Sequence, residues 1–92
     1  MEKITVTVEY SEDNFSAFVI VGDGVVTAVG NTVEELKDDM KVALEFHLDM
    51  MREDGEEIPA AFNSEYELAY KFDTESILQR YKFLFSHIGL TV

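Results

Sequence analysis

Asn31-Thr-Val-Glu-Glu-Leu-Lys-Asp-Asp-Met-Lys-Val-Ala-Leu-Glu-Phe-His-Leu-Asp-Met-Met-Arg-Glu-Asp-Gly55 carries a helix with its start and stop written in. Thr32-Val-Glu-Glu35 is a capping box. The Thr32 hydroxyl is placed to accept from the Glu35 N–H, and the Glu35 carboxylate to reach back to the N–H of Thr32. Leu36, Met40, Ala43, Leu44, His47, Leu48 and Met51 then recur at spacings of three and four, which gathers them on one helical face. Arg52 suits the negative end of the helix dipole, and Gly55 offers the left-handed residue that closes many helices. A rod of about 20 residues, roughly 30 Å long, needs a broad apolar surface to lie on.

The segments around it supply that surface. Ile4, Val6, Val8 and Tyr10 alternate with Thr5, Thr7 and Glu9, the period-two pattern of a half-buried strand. Ser11 to Asn14 is a turn, and Phe15 to Val21 is a second strand, making a hairpin. Phe15, Ala17, Val19 and Val21 share one face of it, whereas Phe18 and Ile20 fall on the other. That strand is therefore apolar on both sides, as for a central strand or one whose outer face meets a partner. Gly22-Asp23-Gly24 turns the chain into a third strand, Val25 to Val29.

After the helix, Glu56 to Ser64 reads as a plain connection holding the only proline. Tyr66, Leu68, Tyr70 and Phe72 alternate with Glu67, Ala69 and Lys71 as a fourth strand with an aromatic face. A strand-helix-strand crossover favours pairing the fourth strand parallel to the first. The expected fold is α+β, in the order β-β-β-α-β with sheet order 3-2-1-4, spanning residues 1–73. Asp73-Thr74 then resembles a helix cap, and Ile77, Leu78, Tyr81, Leu84, Phe85 and Ile88 recur at helical spacing, so residues 74–92 are expected to hold a C-terminal helix. Its stripe must be buried on the domain, on another copy or on further residues.

Composition narrows the function. The 92-residue chain is 47% hydrophobic, enough for one modest core. It has no cysteine, which excludes disulfides, thiolate metal sites and thiol catalysis, and fits a reducing cytoplasm. The N-terminus alternates and so is no signal peptide, and no apolar run reaches membrane length, so no membrane partner is expected. The net charge is −12, and residues 1–67 carry 4 Lys and Arg against 17 Asp and Glu. Such a body repels nucleic acid and draws a basic protein.

Two stretches of this chain resemble the HicB antitoxin family: Asp13-Asn-Phe15-Ser-Ala17 with Gly22-Asp-Gly24, and Gly30-Asn-Thr32-Val-Glu-Glu35-Leu opening the helix. The helix exit Glu53-Asp-Gly55-Glu-Glu-Ile-Pro59 is similar too. The family's Pro-Asp-Leu-Pro-Gly-Cys segment is replaced here by Val19-Ile-Val-Gly-Asp-Gly24. The resemblance implies a degenerate, non-nucleolytic RNase H-like fold, a cytoplasmic bacterial setting and neutralisation of HicA, a small basic mRNA interferase. It also implies a C-terminal helix-turn-helix or ribbon-helix-helix part that represses the operon. Residues 74–92 resemble the entry to such a part, so DNA would be contacted only beyond Val92.

Glu12, Asp13 and Asp23, on hairpin tips, are the expected contacts for a basic toxin, with Phe18 and Ile20 beside them. Phe46 and Met50, with Val42, form a narrower helix stripe rotated from the core face. Together with Ile77, Tyr81, Leu84 and Phe85 they are candidates for contact between copies in a homodimer or higher oligomer, or for packing of the C-terminal segment. Wider core packing is the bland alternative.

No cofactor or metal site and no catalytic residue is expected. A two-metal nuclease needs several acids close together. Only Glu9, Asp73 and Asp38 or Glu45 could contribute, while Thr5 and Thr7 stand where an active RNase H-like strand needs an acid. His47 reads as a packing residue and His87 as a helix-end cation. The alternative function is a stand-alone transcriptional regulator whose N-terminal domain assembles oligomers or senses a ligand.

Overall fold

The computed structural model describes residues 1–73. Four strands, β1 (Glu2–Tyr10), β2 (Phe15–Val21), β3 (Gly24–Gly30) and β4 (Tyr66–Phe72), form one sheet ordered β3-β2-β1-β4. β1 pairs antiparallel with β2 and parallel with β4, and β2 pairs antiparallel with β3. The α+β class and the strand order are those the alternation led us to expect. The expected C-terminal helix, with Ile77, Tyr81, Leu84 and Phe85, lies outside the described residues.

Helix α1 (Val33–Glu53) lies across one face of this sheet. Leu36, Met40, Leu44 and Leu48 from the helix meet Val6, Val8, Ala17, Val19, Val21, Val26 and Ala28 from the strands in one core. Burying a Leu or Val side chain contributes about 1.5–3 kcal/mol, so this single interface supplies most of the domain's stabilisation. Ala43 and Met51 pack at its margin, while His47 is half-buried with its imidazole over Gly24.

The helix ends are chemically closed. Thr32 Oγ1 accepts from the Glu35 N–H at 3.1 Å, as expected. The reciprocal bond differs: the Glu35 carboxylate takes the N–H of Asn31, at 3.0 Å, instead of that of Thr32. Glu35 thus ties the helix to the residue that follows β3. At the other end Gly55 has φ +71, its N–H bonds to Arg52 O and the Glu56 N–H to Met51 O. This is the paired 6→1 and 5→2 closure of a Schellman motif.

Two features place α1 over β3. A Cβ on Gly30 would stand 2.4 Å from the Leu36 N atom, so only glycine lets the first helical turn press onto the strand end. The Asp39 carboxylate also accepts the N–H of Val29 at 3.1 Å. Leu36 sits by Gly30 and His47 by Gly24, so the helix runs antiparallel to β3.

The connection from Glu56 to Ser64 is not a plain loop. Ala60–Asn63 forms a short helical turn, α2, whose Phe62 is buried together with Ile58. Pro59 heads the turn, and the Asn63 side-chain amide donates to Ile58 O at 3.1 Å. The turn exists because two apolar side chains four residues apart must reach the core end, where Phe62 meets Tyr66 edge-on.

Candidate partner-binding surface

Because α1 covers one face of the sheet, the side chains alternating outward remain on the other. On β2 these are Phe18, half-buried, and Ile20, 65% exposed. The register sets Val25 of β3 opposite Ile20, and Thr7 and Thr27 on either side of Phe18. Val29 is also exposed, at 58%, so Phe18, Ile20, Val25 and Val29 make an apolar patch on the outer half formed by β2 and β3.

The half formed by β1 and β4 is polar: Thr5 and Thr7 face out, and Lys3 reaches Glu67 at 3.9 Å. Between the halves lies a shallow trough of about 440 Å³, lined by Lys3, Thr5, Thr7, Phe18, Ile20 and Phe62. Phe18 and Ile20 were legible as outward residues from their alternation. Val25 and Val29 were not singled out, although the same alternation in Val25-Val-Thr-Ala-Val29 marks them.

The acidic residues chosen from the sequence do not form one cluster. Glu12 and Asp13 lie on the β1–β2 turn, where the Ser11 hydroxyl donates to Asn14 Oδ1 and the Ser11 N–H to Asn14 O. Asp23 lies on the β2–β3 turn, made by Gly22 at φ +60. β2 separates the two turns by roughly 20–25 Å, at about 3.4 Å per residue. All three carboxylates are exposed, and among the described residues none takes part in an ion pair. The arrangement is an apolar centre with an acidic turn at either end.

Among the described residues, no three acidic, histidine or cysteine side chains gather closely enough to hold a metal ion. Glu9 projects from the outer face, whereas Asp38 and Glu45 flank α1 on the inner side, so the sheet separates them. The Asp73 N–H continues the β4 ladder by bonding to Val8 O at 2.7 Å.

Phe46 and Met50 are solvent-facing, at 67% and 44%, as is Val42 at 67%. They follow Asp39 at helical spacing, so they lie on the flank of α1 turned towards the β3 edge. This is a stripe outside the core, not a widening of it.

A second concavity, of about 380 Å³, lies on the opposite flank of α1, between the helix and β4. Leu44, Tyr66, Leu68 and Tyr70 form its floor, and the Lys37 ammonium sits 5.1 Å from the Tyr70 ring centre. Burial raises the Tyr70 phenol above its ordinary value, and the nearby Asp38 carboxylate adds to the effect. This groove was not read from the sequence, because the lateral position of α1 on the sheet depends on Gly30 and Asp39.

No family model, curated protein or solved structure matches this chain. Among the described residues, no helix is long and apolar enough to cross a membrane.

Proposed function

We propose that this chain is an antitoxin-type interaction protein, resembling HicB, that binds and neutralises a small basic HicA-like mRNA interferase. The observation that carries the reading is the outer face of the sheet, which no other described element covers and where exposed Ile20, Val25 and Val29 and half-buried Phe18 lie between two acidic turns. An apolar centre with a charged rim is how protein interfaces are commonly built. With 18 Asp and Glu against 5 Lys and Arg in residues 1–73, such a face favours a cationic partner over nucleic acid.

Neutralisation on this reading needs no catalytic group. Phe18 and Ile20 lose water against the toxin, while Glu12, Asp13 and Asp23 pair with its lysines and arginines, occluding the surface that takes RNA. The protein acts as a homodimer, its copies meeting through Val42, Phe46 and Met50 on the flank of α1, which leaves the outer sheet face free.

The test is co-expression with the small basic protein encoded beside this chain. Stable co-purification and loss of the partner's RNA cleavage are expected, and Ile20→Glu should release the partner while the domain stays folded. An unaffected complex with Ile20→Glu, or no basic partner at the locus, overturns the reading.

A further inference from the structure

The two edges of the sheet are built differently. β4 carries Glu67 and Lys71 on its outer face, charges of the kind that keep an edge from pairing with another chain. β3 reads Gly24-Val-Val-Thr-Ala-Val-Gly30, without a charge, a proline or a bulge. Val21 and Gly24 close the two-residue turn as a hydrogen-bonded pair, so Gly24, Val26, Ala28 and Gly30 direct their backbone groups to β2. Val25, Thr27 and Val29 point theirs away from the sheet, and the Asp39 carboxylate on the Val29 N–H matches that parity. Asp39 closes only that end. Among the described residues, no hydrogen bond reaches the N–H of Val25 or of Thr27.

We propose that two copies join edge to edge through β3, merging their four-stranded sheets into one with the α1 helices side by side. This pairing rests on the homodimer proposed above and specifies how its copies meet; it does not depend on a basic partner.

The free groups fix one antiparallel register. With Val25 opposite the partner's Thr27 and Thr27 opposite the partner's Val25, each pair exchanges both of its backbone bonds about a two-fold axis at Val26. Shifting the pairing towards Gly30 brings in the Val29 N–H, which Asp39 already holds. Shifting it the other way runs into the turn at Gly22.

The exposed helix stripe shares that axis. Leu36 stands at Gly30 and His47 at Gly24, and Val26 lies a third of the way from Gly24 to Gly30. The same fraction back along α1 falls at Ala43 and Leu44, close to the midpoint of Val42 and Phe46. Antiparallel helices related by this axis set Phe46 on the partner's Val42, and both residues are 67% exposed. The spacing agrees. α1 rides over β3 and β2, about 2–3 Å inside the line of β3, so strands about 4.8 Å apart bring the two helices to about 10 Å, an ordinary packing distance.

Val25, Val29, Val42, Phe46 and Met50 flank this edge and offer on the order of 500 Å² of apolar surface per copy, close to the apolar share of a standard interface of about 800 Å² per partner. Opposing them is repulsion between bodies that each carry 13 net negative charges over residues 1–73, so the dimer should tighten as salt screens that charge.

The test uses the full chain alone. In a mixed sample of labelled and unlabelled chain, isotope-filtered NMR should show the Val26 Hα in contact with the partner's Val26 Hα, the close pair of an antiparallel ladder. Exchange of the Val25 and Thr27 amides should slow at least tenfold as the protein concentration is raised through the dimer range. Thr27→Pro removes an N–H where an edge strand tolerates proline, so the domain should stay folded, as protected β1 and β2 amides report, while the dimer dissociation constant rises at least tenfold. If that variant does not fold, the Val26 contact and the amide protection of the unaltered chain decide the matter. A dimer that Phe46→Lys dissolves, but in which the Val25 and Thr27 amides exchange freely, would overturn the edge pairing and leave the helix contact of the proposed homodimer standing. A monomer at every concentration would overturn both. Neither result bears on binding of a basic partner, which the co-expression experiment reads separately.

Discussion

At the residue scale, a few positions hold the architecture through atoms that no neighbour can replace. Gly30→Ala drives a methyl into the backbone of Leu36 and Glu35, where neither strand end nor helix start can move without breaking the cap. A loss of about 2–4 kcal/mol is expected in urea unfolding, the range of severe backbone or packing clashes. Thr32→Ala removes only the bond to the Glu35 N–H and should cost about 1 kcal/mol in the same assay.

Tyr70 links a single residue to pH. Its phenol is raised by burial and by Asp38, so the folded state holds the proton more tightly than the unfolded chain does. The associated stability is complete below the usual tyrosine value of about 10 and is lost as pH climbs through the higher folded value. Unfolding followed from pH 9 to 11 should show this decline, and Tyr70→Phe should flatten it. An unchanged slope in the variant would assign the decline to other groups.

At the element scale, α1 does three things with three faces. Leu36, Met40, Leu44 and Leu48 make the core, and Asp39 covers an edge. A bare strand edge invites pairing with another chain, and the carboxylate occupies the Val29 N–H that would receive it. Asp39→Ala should speed exchange of the Val29 amide well beyond that of Val26. The third face is the stripe of Val42, Phe46 and Met50. On the proposed dimer, Phe46→Lys should shift the protein to monomer in sedimentation velocity while changing the stability of the monomer by no more than about 0.5 kcal/mol, as for a surface residue.

At the scale of the whole molecule, the described residues leave the sheet with one face on its helix and one open, with negative charge at both ends of the open face. Electrostatic rims act mainly on encounter. Replacing Glu12, Asp13 and Asp23 together by Gln and Asn should slow association with the proposed basic partner about tenfold at low salt and hardly alter dissociation, as read by surface plasmon resonance. The difference should shrink at 0.5 M salt, where the screening length falls to about 4 Å.

The sequence by itself determined the elements and their inward faces. Period-two alternation in Ile4-Thr-Val-Thr-Val8 and three-four spacing from Leu36 to Met51 are direct images of strand and helix geometry, and the cap at Thr32 and the exit at Gly55 are local chemistry. The strand order was legible too, because hairpin turns and one crossover leave few ways to join four strands. The tertiary structure alone decided the rest, since it depends on contacts between residues distant in sequence. Gly30 and Asp39 set where α1 rests across the sheet, which opened the groove beside β4. Ile58 and Phe62 turned a loop into α2 by reaching the core, and the length of β2 set how far apart the acidic turns of Glu12-Asp13 and of Asp23 stand.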